Sequence, residues 1–84
     1  MERSKESHYV CEDSYERLAN AIILQAVEEY RGAMKIRKNN PQNRDAENEI
    51  LRIERFFRSD WFKALTTIDG EYLIRILRSE IQND

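Results

Sequence analysis

Proline and glycine are scarce in this chain: Pro41 stands alone, and Gly32 and Gly70 are the two glycines among 84 residues. A sheet protein needs turn residues at several hairpins. The shortage therefore argues against β architectures and for helices. Cysteine occurs once, at Cys11, which excludes an intramolecular disulfide. With no apolar signal-like core near the first residues, a reducing, cytoplasmic setting is expected. Long hydrophobic runs are missing too. The longest, Ala21–Leu24, falls far short of the roughly 20 residues that span a bilayer. Charge of one sign is also lacking, since 14 basic and 16 acidic side chains leave a net charge of −2. Bulk electrostatics therefore gives no pointer to nucleic acid.

What is present is charge in abundance, 36% of residues, interleaved with apolar positions at helical spacing. A chain of this length holds one domain and buries only about 60% of its unfolded surface. Residues 1–13 are polar, acidic and without periodicity, and read as a flexible tail that stays unordered until docked. Residues 14–84 then form a single all-α domain, a small bundle of about four helices with a long first helix.

From Ser14 the apolar residues Tyr15, Ala19, Ile22, Ile23, Ala26, Val27, Tyr30, Ala33 and Met34 recur with helical period over about five turns. Asp13 or Ser14 is the expected N-cap. Lys35, Arg37 and Lys38 favour the carbonyl end, and Asn39-Asn40-Pro41 closes the helix. Ala19, Ala26 and Ala33 lie seven apart on one side, a stripe suited to close approach of another helix within the chain or, alternatively, to a homodimer seam.

A second helix starts between Asn40 and Asp45 and runs to about Arg58. Its buried stripe is Ala46, Ile50, Ile53 and Phe57, widened by Leu51 and Phe56. Glu54 and Arg58 have the spacing of a surface ion pair. Ser59 caps a short third helix from Asp60 to about Leu65. Thr66 or Thr67 caps a fourth, with Asp69 and Glu71 in its first turn and Leu73, Ile76, Leu77 and Ile81 as its inner stripe. Tyr72 and Ile74 widen that arc or remain partly exposed. Gly70, costly early in a helix, marks close approach of another backbone or of a partner.

All three phenylalanines and the sole tryptophan fall within Phe56–Phe62. Aromatic rings carry the largest apolar area per residue, so the core is anchored here. At least one of the four rings is difficult to bury in so small a domain.

Catalytic chemistry finds little support. His8 and Cys11 form an isolated pair, too few ligands for structural zinc and without a base outside the same tail for a cysteine nucleophile. Asp69 and Glu71 are explained by capping. Gly32 and Gly70 cannot build a phosphate-cradling loop. No enzyme activity, metal or cofactor is expected.

The basic stretch is the stronger feature. Arg31, Lys35, Arg37, Lys38 and Arg44 carry positive charge with no acid between residues 31 and 44. It suits a solvated helix end, a contact with an acidic protein surface, or a phosphate-contacting patch beside a helix-turn-helix built from helices 2 and 3 or 3 and 4. Trp61 and Tyr72 are the candidate apolar anchors, the aromatic cluster having Arg55 and Arg58 beside it.

The segments Tyr15–Val27, Phe57–Phe62 and Leu65–Ile74 resemble small all-helical proteins of prophages and mobile elements of Firmicutes, Clostridia in particular. The resemblance covers most of the chain from Tyr15 onward, leaves residues 1–13 outside, and brings no catalytic residues. It implies stoichiometric action on host machinery, CRISPR effectors and other defence systems included. The leading expectation is therefore a non-enzymatic phage-type interaction protein that binds a host protein or protein–nucleic-acid complex and inhibits or modulates it. A small DNA-binding regulator and a homodimeric accessory protein are the alternatives, and no membrane contact is expected.

Overall fold

The computed structural model describes residues 3–83, with side chains from residue 14 to residue 81. Four helices follow one another: α1 Arg3–Asn39, α2 Arg44–Phe57, α3 Asp60–Leu65 and α4 Gly70–Asn83. The all-α class and the long first helix are as expected. α1 begins at Arg3 and passes through Asp13 and Ser14, which therefore do not cap it. Neither proline nor glycine occurs before Gly32, and a nucleated helix extends at one hydrogen bond per residue until something stops it. The expected tail, residues 1–13, and the His8–Cys11 pair within it lie outside the residues whose side chains are described.

Each later boundary has a local cause. The turn after α1 is closed by the Asn43 amide donating to the Asn40 carbonyl at 3.0 Å, with the Asn40 side chain accepting from Gln42. Pro41 sits in this turn and not in the first turn of α2. Asn43 then caps α2, its Oδ1 accepting from the Ala46 amide at 2.9 Å. Ser59 caps α3 as expected, accepting from the Phe62 amide at 3.1 Å and donating to the Phe56 carbonyl at 2.6 Å. α4 differs: its cap is Asp69, which accepts from the Glu71 amide, whereas Thr66 accepts from Ile68 inside the loop.

α2 runs back along α1, since Arg37 meets Glu47 near the turn and Glu29 meets Arg52 further on. α4 packs on both. One core takes Ile23, Val27, Tyr30 and Met34 from α1, Ile50, Ile53 and Phe57 from α2, Phe62 from α3, and Ile74, Leu77 and Ile81 from α4. Phe56, Phe57 and Phe62 meet near edge to face or tilted at 5.5–5.8 Å, the geometry their ring quadrupoles favour. Ala19 and Ala33 are buried, and Ala26 packs against the core. The alanine stripe thus makes the intramolecular contact.

The rotation of α4 departs from expectation. Ile74 is buried beside Leu77 and Ile81, while Ile76 is 39% exposed. Gly70 explains the difference. A side chain there would place its Cβ into the backbone carbonyl of Phe57, so the glycine lies flat against α2. Residues 74, 77 and 81 follow it at +4, +7 and +11, on the same face. Gly70→Ala is therefore expected to destabilise the protein by about 1–3 kcal/mol, as overpacking does, against the gain of roughly 1 kcal/mol that helix propensity alone predicts. Urea unfolding of the purified variant reads the sign directly.

Candidate functional site

The buried face of α2 includes one charged residue. Glu54, 4% exposed, lies among Ile50, Ile53 and Phe57, one turn after Ile50 and three residues before Phe57. Its Oε2 accepts from the Tyr30 hydroxyl of α1 at 2.6 Å and from Arg78 Nη2 of α4 at 2.8 Å. Arg58 approaches its other oxygen at 3.7 Å. The Glu54–Arg58 pair is thus no surface decoration. It is the rim of a polar lock joining three helices. Burial, and then the hydrogen bond to Glu54, push the Tyr30 hydroxyl from 10.0 up to about 12. Among the described residues no buried side-chain polar atom lacks a partner, so the polar core is fully satisfied.

Arg78 also reaches the surface. With Arg37, Lys38, Met34 and Ile81 it lines a cleft of about 260 Å³ between α1 and α4. Three cations therefore converge on a concavity with apolar walls. Lys38 Nζ donates to the Ile81 carbonyl at 3.1 Å, the position where cations complement a helix end. Arg37 is held by Glu47 at 3.0 Å. Glu47 and Glu54, the carboxylates paired with these arginines, are not among the residues lining the cleft.

The five basic residues singled out in the sequence do not form one patch. Arg37 and Lys38 meet in the cleft. Arg31 instead forks onto Glu80 of α4 at 2.9 and 3.0 Å, which holds the Glu80 carboxyl below the usual carboxylate range. Lys35 and Arg44 are exposed and make no side-chain bond to the other described residues. Arg78 completes the cleft and was not singled out, because its position among the acids of α4 gives no hint that it faces the end of α1.

No protein-family model, curated protein or solved structure matches the chain.

Trp61 and Tyr72 are both on the surface, 58% and 55% exposed. Trp61 stands edge-on to Phe56 at 5.4 Å on the Ser59-capped α3. Tyr72 lies on the outer face of α4 and lines a shallow groove with Arg75, Ile76, Ser79 and Glu80. The four-ring cluster is thus core at Phe57 and Phe62, half-buried at Phe56 and open at Trp61. Among the described residues no group of three His, Cys, Asp or Glu side chains converges, and no helix is long and apolar enough to cross a membrane.

Proposed function

We propose that this protein is a non-enzymatic interaction module that binds a host protein and inhibits or modulates it. A nucleic-acid-handling defence complex of CRISPR type is the partner class that the prophage resemblance suggests. The observation that carries the reading is Trp61: a large amphipathic ring, 58% exposed, held on a capped helix against Phe56. An aromatic ring has only two side-chain torsions to fix on binding, and such residues dominate interface energetics. Tyr72 and Ile76 offer a second apolar surface on α4, and the cationic cleft adds charge that steers an acidic partner.

The DNA-regulator reading has less behind it. A recognition element must reach base edges from a major groove. α3 has six residues and opens with an acid, and the five basic residues do not form one patch, since Arg31 pairs with Glu80 away from the cleft of Arg37 and Lys38. The homodimer reading loses its alanine seam to intramolecular packing.

The test is capture of a tagged copy from a lysate of its own host after nuclease treatment, read by mass spectrometry. One protein partner is expected to survive nuclease, and Trp61→Ala is expected to lower its recovery by about tenfold or more. Recovery that depends on nucleic acid, or capture unchanged in the double variant Trp61→Ala, Tyr72→Ala, contradicts the proposal.

A further inference from the structure

We infer that the cleft formed by Arg37, Lys38 and Arg78 is a binding site for an acidic peptide segment, one that presents a carboxylate next to an apolar side chain. This rests on the interaction reading above and names the chemistry of the segment that docks. The cleft joins cationic donors and apolar walls. Its cations come from two helices, and its walls are the nearly buried side chains of Met34 and Ile81.

Each cation keeps donors in reserve. Lys38 uses one of its ammonium protons on the Ile81 carbonyl. Arg78 commits Nη2 to Glu54, and Arg37 commits Nη1 to Glu47 and Nη2 to the Met34 sulfur. A lysine has three donors and an arginine five, so a carboxylate entering the cleft finds unused N–H groups without breaking the bonds already present. Those bonds also fix the side chains beforehand, which lowers the entropy lost on binding. Glu47 and Glu54 each pair with one arginine, so the three cations with these two carboxylates keep one net positive charge at the cleft. At about 260 Å³ the space is small for a drug-sized ligand but suits one or two side chains. An apolar side chain against Met34 and Ile81 would be covered while its acidic neighbour met the cations. An all-polar anion leaves those apolar walls unused.

The test uses the full chain and a synthetic blocked peptide of alternating Glu and Leu, followed by amide-resolved NMR titration. Saturable shifts at residues 34–38 and 78–81 are expected. Lys38→Ala and Arg37→Ala are each expected to weaken the peptide by about tenfold, the worth of one charge-assisted hydrogen bond. Lys63→Ala, on α3 and outside the cleft, leaves the affinity unchanged. The same peptide with Gln for Glu should fail to saturate. Equal binding of the Gln peptide, equal binding of inorganic phosphate, or shifts centred elsewhere would overturn the assignment. Because the native partner takes no part in this titration, failure of the cleft leaves the lysate capture to judge the interaction reading separately.

Discussion

Glu54→Ala is expected to remove about 3 kcal/mol of stability, out of roughly 4–12 kcal/mol for a chain of this size. The Tyr30 hydroxyl is fully buried and donates to Glu54 at 2.6 Å. Without the carboxylate the hydroxyl has no acceptor, and leaving a buried polar group unmade costs about 1–3 kcal/mol. The lost side-chain volume in the α2 stripe adds a cavity term. Arg78 contributes less to the loss, since it is half exposed and regains water. Tyr30→Phe should cost less than Glu54→Ala, because the carboxylate then keeps Arg78 and Arg58. Thermal unfolding reads the series, with a fall of roughly 12–24 °C in Tm expected for Glu54→Ala. The same lock gives a signature in alkali. A phenol held at about 12 in the folded protein against 10.0 in the unfolded chain keeps its proton while the unfolded chain releases it. Stability from this group is therefore complete below the unfolded value and drains as pH rises between the two. Tyr30→Phe should flatten that part of the stability profile.

Phe62→Ala is expected to cost about 3–5 kcal/mol, whereas its neighbour Trp61→Ala costs only about 1 kcal/mol. Phe62 is wholly buried and meets Phe56 and Phe57 at 5.6 and 5.5 Å. It is the one fully buried side chain that α3 contributes. Its loss opens a cavity and weakens the docking of α3, which keeps Leu65 against the core. Trp61 gives up mainly its edge contact with Phe56, because most of the ring already faces water. Urea unfolding of the two variants side by side separates the roles: one ring stabilises the fold, and the next remains available to a partner. A comparable loss from both would place Trp61 in the core and withdraw its role as an anchor.

Some features governed by neighbours in the chain are legible in the sequence, although the caps expected for α1 and α4 are not where local spacing places them. The Ser59 cap, the turn at Pro41 and the stripe Ala46, Ile50, Ile53 and Phe57 depend on residues within a turn or two, and they stand where spacing places them. The rotation of α4 was not legible, because Ile74-Leu77-Ile81 and Leu73-Ile76-Leu77 both satisfy helical period. What decides is the contact of Gly70 with Phe57, which belongs to tertiary packing. Glu54 carried a signal that local pairing concealed. Its spacing to Arg58 suggests a surface pair, yet it lies four residues after Ile50 and three before Phe57, on the core face. A tyrosine at a core position of α1 also needs an acceptor. Together these point to Tyr30–Glu54. The basic stretch was legible as charge but not as a site. Its partners, Glu47, Glu80 and the Ile81 carbonyl, lie 10, 49 and 43 residues away from the cations they hold.

The most direct test of the central claim is the mass and composition of the purified complex in solution. The protein and its captured partner, treated with nuclease and passed through size-exclusion chromatography with light scattering, are expected to elute together at fixed stoichiometry and free of nucleic acid. Dissociation of the two once nucleic acid is removed, with this protein recovered alone or bound only to DNA, would contradict the account.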